Sequence, residues 1–121
     1  MTVEYQNDYV LRLIEQMGAA LRLAARRFSE GAPSEESLEA TDEAIGAVID
    51  IDPELFLRMS PPSMAALLDV SNLDARLVAK LGEALLLQAD ILQSEANLVE
   101  AGVRRQQAAA VFESIDPSRA N

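Results

Sequence analysis

The sequence contains no cysteine, no histidine and no tryptophan. Without cysteine and histidine there can be no Ser-His or Cys-His nucleophile pair, no thiolate chemistry, no histidine phosphorelay and no ordinary zinc site. We therefore expect a protein that is not an enzyme and that uses no cofactor or metal. The lack of cysteine also removes disulfides as a guide to the redox compartment.

Targeting and membrane signals are also missing. The segment Met1–Asp8 carries two acids and has neither a basic region nor an apolar core, so it is not typical of a signal peptide. No stretch approaches the length of about 18 uncharged apolar residues that a membrane helix needs. The sequence therefore predicts a cytoplasmic protein without membrane contact.

Basic residues are scarce: the 121 residues include 10 Lys and Arg against 20 Asp and Glu, which gives a formal charge of -10. This charge repels phosphate backbones and anionic lipid, so we expect no nucleic-acid partner. Half of the residues are hydrophobic, which is enough apolar surface to offset chain entropy. The length is typical of one domain, and we take residues 1–121 as a single helical domain.

Apolar residues recur at three- and four-residue steps, while period-2 alternation and hairpin turn signals are absent. The pattern predicts an all-α fold of about five main helices and a short helical connector. The fourth helix, from Leu77 to Leu92, is apolar almost all round and should be central. The segment 54–73 is an apolar connector and not a linker.

Polar caps predict where the helices begin. The expected start signals are Asn7 or Asp8 for the first helix, Ser34 for the second, and Ser71 with Asp74 for the fourth. Within the connector, Ser60-Pro61-Pro62-Ser63 predicts a break followed by a helix that begins with proline.

Glycine and proline predict where the helices end. Gly31 and Pro33 should break the first helix, and Asp52-Pro53 should stop the second, which includes Val48 and Ile49. A turn around Gln93 to Asn97 should precede a final helix that ends at Asp116-Pro117.

An internal repeat is the most specific feature of the sequence. Residues 10–53 align without gaps on residues 74–117, at an offset of 64, with 13 identities in 44 positions. Chance would give roughly four. The identities include Gly18 with Gly82 and Asp52-Pro53 with Asp116-Pro117. The repeat predicts a duplicated helical hairpin in which close approach of a partner helix explains each glycine.

This outline resembles tetratricopeptide repeats. In that family a Leu-Gly pair lies inside the first helix and an Asp-Pro closes the second, as Leu81-Gly82 and Asp116-Pro117 do here. Gly to Pro spans 35 residues in both halves, longer than the 34-residue repeat allows. The resemblance therefore implies a tetratricopeptide-like double hairpin with lengthened helices, acting as a non-catalytic protein-interaction module.

The opening Asn7-Asp8-Tyr9-Val10-Leu11-Arg12-Leu13-Ile14-Glu15-Gln16 is similar to the start of an uncharacterised bacterial family of small acidic helical proteins. The similarity extends through Asp52-Pro53-Glu54-Leu55 and the Ser60-Pro61 connector. It implies the same helical fold and no particular activity.

Two charged clusters leave a second interpretation open, that of a small-ligand, anion or cation binding protein. Arginines at 22–27 could hold an anion, although pairing with the acids of the second helix is the simpler use. Acids at 35–43 could hold a cation, although the EF-hand spacing is absent and a solvated face is simpler. The candidate interaction surface consists of Tyr9, Arg12, Arg22, Arg26 and Arg27.

Self-association is also expected. Two hairpins leave apolar surface that a third repeat would normally cover. On the fourth helix, Leu86, Leu87 and Ile91 make the apolar surface wider than a single stripe. A two-fold homodimer would cover this face.

Overall fold

A computed structural model describes the backbone of residues 2–115 and the side chains of residues 7–115. Over these residues the chain forms α-helices and no β-strand, which confirms the all-α prediction. The helices are α1 (Thr2–Ser29), α2 (Ser34–Gly46), α3 (Pro53–Leu57), α4 (Pro61–Ser71), α5 (Ala75–Ser94) and α6 (Leu98–Ser114). No helix in the described range is both long and apolar enough to cross a membrane.

Helix α5 is the centre of the fold, as its apolar sequence predicts. It packs most extensively on α6, and it also contacts α1 and α2. Leu81, Ala84, Leu85 and Ile91 have no exposed surface, because neighbouring helices cover α5 on several sides. Full burial of a leucine side chain contributes about 1.5–3 kcal/mol, so this helix anchors the core.

Two helical hairpins, α1–α2 and α5–α6, turn in the same way. The N–H of Ala32 donates to the carbonyl oxygen of Arg27 at 2.9 Å, and the N–H of Asn97 donates to that of Leu92 at 2.9 Å. Each turn has a residue in the left-handed region, Gly31 (φ 96°) in the first and Ala96 (φ 62°) in the second. This is the Schellman pattern, in which a left-handed residue satisfies the last carbonyls of a helix.

The duplication of residues 10–53 and 74–117 stays a prediction. Helix α6 does begin 64 residues after α2, at Leu98 against Ser34. The equivalent positions Met17 and Leu81 are both buried, as are Leu21 and Leu85. The closing pair Asp116-Pro117 lies outside the described residues.

The connector 54–73 contributes to the core. It forms α3 and α4, and Phe56, Leu57, Met64 and Leu68 are buried. Helix α4 packs on α6. The predicted start at Ser60-Pro61 is confirmed, since the Ser60 hydroxyl accepts the Ser63 N–H and Pro61 is the first helical residue.

Three predicted cap positions are wrong, although Asp74 of the Ser71 and Asp74 signal does cap α5, where its carboxylate accepts the Arg76 N–H at 2.8 Å. Helix α1 begins at Thr2, because no glycine or proline precedes Asn7 and Asp8 to interrupt it. Helix α2 is preceded by Pro33, whose carbonyl accepts the Ser37 N–H, so Ser34 is already helical. Ser71 is the last residue of α4, where its hydroxyl donates to the Leu67 carbonyl at 2.8 Å.

The Asp-Pro signal at residue 52 is also wrong as a stop. Helix α2 already ends at Gly46, and Val48 and Ile49 pack on the core from the turn that follows. The Asp52 carboxylate accepts the Glu54 N–H at 2.8 Å and therefore caps the start of α3. Proline is favoured at the first position of a helix as well as after its end, so the same pair of residues can serve either signal.

Candidate functional site

The predicted interaction surface lies entirely on α1. Tyr9, Arg12, Arg22, Arg26 and Arg27 all have exposed side chains. They extend from residue 9 to residue 27, which is about 27 Å along a helix at 1.5 Å per residue. The structure therefore does not bring these five side chains together at one site.

Among the arginines at 22–27, Arg27 has the predicted acidic partner on α2. Its guanidinium lies 3.3 Å from the Glu36 carboxylate, with both side chains more than half exposed. Exposed ion pairs contribute about 0–1 kcal/mol, so this pair adds little to stability. Within residues 7–115 neither Arg22 nor Arg26 forms an ion pair.

An apolar groove runs between α1 and α2, and we take it as the candidate site. Its volume is about 370 Å³. It is lined on α1 by Leu13, Gln16, Met17, Ala20, Leu23, Ala24 and Arg27, and on the α2 side by Ala40, Glu43, Ala44, Ala47 and Val48. Sequence reasoning identified Arg27 of this set and missed the groove.

The groove arises from the spacing and size of its side chains. The α1 residues recur at steps of three and four, so they form one stripe along the helix. Ala40 and Ala44 of α2 and Ala47 just after it face this stripe, and their short side chains leave the space between the two helices unfilled. Met17 and Ala24, each 3% exposed, form the floor, whereas Leu23 is 43% exposed at the edge.

Charge is distributed unevenly around the groove. Every charged residue of α2 is acidic, and Glu36, Glu39 and Glu43 are exposed on one helical face. The charged residue on the α1 side is Arg27, which is exposed. Tyr9 lies four residues before Leu13 and continues the α1 stripe beyond the groove, with 55% of its surface exposed.

A polar network lies on the opposite side of α2, between α5 and α6. The Gln88 amide donates to the Thr41 hydroxyl at 2.8 Å and to the Asp42 carboxylate, and its oxygen accepts from Arg104 at 2.9 Å. The Gln107 amide donates to the carbonyls of Leu57 and Met59 at 2.8 and 2.9 Å. The network thus satisfies the end of α3, which has too few residues to satisfy its own carbonyls.

Burial shifts the pKa of two groups in this network. It raises the pKa of the Asp42 carboxyl, and the negative charge of Glu54 adds to that shift, although the Gln88 hydrogen bond and the charge of Arg104 oppose it. It also lowers the pKa of the Arg104 guanidinium, against the favourable charges of Glu100 and Asp42. Both shifts reflect the cost of removing a charge from water.

A polar cavity of about 620 Å³ lies beside the network, with Asp42, Glu54 and Arg104 among its lining residues. Its charges already have partners within the chain. Arg58 lies 2.7 Å from Glu54, Arg104 lies 3.8 Å from Glu100, and Asp42 accepts from Gln88. We therefore assign these residues a structural role.

The acids at 35–43 do not converge. Glu36, Glu39 and Glu43 are exposed, whereas Asp42 is turned toward the polar network. Within the described residues no three acidic side chains lie close enough together to hold a metal ion.

Sequence reasoning missed Gln88 and Gln107. A signal was present, because both occupy core-facing positions of amphipathic helices, Gln88 between Ala84 and Ile91 and Gln107 between Ala101 and Val111. Buried polar side chains are almost always hydrogen-bonded, so such positions indicate an internal network.

Comparisons of the chain with protein-family models, with curated proteins and with solved structures found no match. The tetratricopeptide-like repeat type and the bacterial family therefore stay predictions.

Proposed function

We propose that this protein is a non-catalytic protein-interaction module and that the α1–α2 groove is its docking surface. The observation that carries the proposal is the groove itself, which presents an apolar stripe at the surface between α1 and α2. Apolar clefts with few polar groups are the usual form of a binding site. The lack of histidine and cysteine in the sequence supports a function without catalysis.

A matched pair of leucines on α1 tests the proposal. Leu23, 43% exposed, lines the groove, whereas Leu11, 38% exposed, does not. Each would be changed to serine, and proteins bound from an extract of the source organism would be identified by mass spectrometry. A partner found in this way would then be purified and its affinity measured.

We expect Leu23→Ser to weaken binding of the purified partner by roughly tenfold and Leu11→Ser to leave it within about twofold. Circular dichroism on both variants verifies that the helices are intact. Equal affinity of wild type and Leu23→Ser would show that the groove is not the docking surface.

A further inference from the structure

We infer that the α1–α2 groove binds an amphipathic α-helix of another protein, and that the edge of this helix over α2 is cationic. The inference rests on the proposed function and adds the conformation and charge of the partner segment. It follows from the walls, the length and the charges of the groove.

The walls of the groove favour a helical partner over an extended one. Both walls are mainly helix, and the backbone groups in the middle of a helix are already hydrogen-bonded to each other. An extended segment would bury N–H and C=O groups that find no partner there, at a cost of about 1–3 kcal/mol each. A helix satisfies its own backbone groups and offers side chains only.

The dimensions also suit a helix. The α1 lining extends from Leu13 to Arg27, which is about 21 Å, or four helical turns. Ala40, Ala44 and Ala47 form the facing wall, and small side chains let two helices approach to the lower end of the usual range of about 8–10 Å.

The charges beside the groove indicate the sign of the partner's charge. Glu39 and Glu43 are exposed along the α2 edge, and within the described residues neither has a basic partner within 4.0 Å. A partner with lysine or arginine over this edge would pair with these acids, and the whole-chain charge of -10 would speed its approach. Arg27, at the turn end of the groove, pairs with Glu36 and would repel a base placed there.

A second copy of this chain suits the groove less well. Within the described residues, arginines lie beside apolar stripes on α1, α5 and α6, and each of these stripes is already used within the chain, with Met17, Leu81 and Val111 buried. A second copy would also bring a further charge of -10 to the same edge.

Three synthetic peptides of about 18 residues, or roughly 27 Å of helix, test the inference. The first has leucines at steps of three and four with lysines beside them, the second has glutamate in place of every lysine, and the third is a scramble of the first. Affinity for the full chain would be measured by fluorescence anisotropy at low and at moderate salt.

We expect the lysine peptide to bind at least roughly tenfold more tightly than both the glutamate peptide and the scramble. Leu23→Ser should weaken the lysine peptide and Leu11→Ser should not, while the double change Glu39→Gln and Glu43→Gln should reduce the preference for lysine over glutamate. These results together would support the inference.

The contrary outcomes separate the inference from the proposed function. Equal binding of the lysine and glutamate peptides, sensitive to Leu23→Ser, would leave the groove as a docking surface and overturn its cationic preference. Equal binding of the lysine peptide and the scramble would indicate nonspecific attraction and overturn the inference. A dimer that dissociates on Leu23→Ser would show that a second copy occupies the groove, which also overturns it.

Discussion

The glycines at positions 18 and 82 have the same place in the aligned repeat but different surroundings. A Cβ atom added at Gly82 would lie 2.6 Å from Cζ of Phe112, so α6 approaches α5 closely there, as predicted. A Cβ atom at Gly18 would lie 3.2 Å from the end of Arg22 and 3.8 Å from that of Lys80, both flexible side chains. The predicted close approach is therefore wrong at Gly18.

Changing each glycine to alanine should have opposite effects. Gly18→Ala should raise the free energy of unfolding by up to about 1 kcal/mol, because alanine favours the helix and the arginine can move. Gly82→Ala should lower it by about 1–3 kcal/mol, because the Phe112 ring is held in the core. Urea denaturation measures both values, and a loss of stability in Gly18→Ala as large as that in Gly82→Ala would contradict the distinction.

A second prediction at the residue scale concerns Asp42. Burial raises the pKa of Asp42 in the folded chain above the ordinary value of 3.8. Between the pKa of the unfolded chain and that of the folded chain, the folded chain therefore binds more protons. The free energy of unfolding contributed by Asp42 therefore falls as pH rises through this interval. Asp42→Asn keeps an acceptor for Gln88 and removes the titration. The free energy of unfolding of the variant should therefore rise relative to that of the wild type between about pH 3 and pH 7.

Urea denaturation at both pH values measures this gain, and the exposed Asp69→Asn serves as the control. If the free energy of unfolding of the wild type instead rose relative to that of Asp42→Asn as pH increases, the surroundings would stabilise the charged carboxylate.

At the scale of elements, the two hairpin turns use the same conformation with different residues. Gly31 adopts its left-handed φ without a Cβ clash, whereas Ala96 adopts the same region with one. Ala96→Gly should raise the free energy of unfolding by about 1 kcal/mol, and Gly31→Ala should lower it by a similar amount. Thermal denaturation measures both changes, and equal signs would mean that the turns do not share this conformation.

Gln107 of α6 donates hydrogen bonds to the backbone at the end of α3. Its side chain is fully buried, whereas that of its neighbour Gln106 is exposed. Gln107→Leu would leave the Met59 carbonyl without its donor and the Leu57 carbonyl with only the Arg104 guanidinium, 3.2 Å away, and should cost about 1–3 kcal/mol. Gln106→Leu should change the free energy of unfolding by less than about 0.5 kcal/mol. Similar losses in both variants would show that the buried amide has no special role.

Periodicity predicts elements better than caps do. The apolar steps within α5 identify both its extent and its central position, because a helix with apolar residues all round must be covered. The predictions fail at Ser71 and Asp52 because serine, aspartate and proline occur at helix starts and at helix ends for different local reasons. Only the packing around each of them decides which applies.

At the scale of the whole molecule, the fold class could be predicted from the sequence and the groove could not. A groove depends on which alanines of α2 face which stripe of α1, and that follows from the angle and distance between two helices. The predicted interaction surface of Tyr9 and the arginines does not form one site, because its residues are spread along α1. They are close in sequence or share a helix, yet α1 places Tyr9 and Arg27 about 27 Å apart.

The predicted homodimer belongs to this scale and stays a prediction. The structure limits where the dimer could form. Ile91 is fully buried and Leu87 is partly buried, so of these three leucine and isoleucine side chains only Leu86, 41% exposed, is available for contact with a second copy. Leu86 does not line the groove, so a dimer of this kind would leave the docking surface free.

Light scattering at low and at high salt tests the dimer. The chain mass is 13.1 kDa, and the prediction is twice that mass, held at least as well at high salt because salt screens the repulsion between two charges of -10. Leu86→Ser should return the mass to that of one chain, since it removes the apolar contact at the two-fold axis. A monomer mass for the wild type at both salt concentrations would mean that α6, α1 and α2 cover α5 well enough for one chain to stand alone.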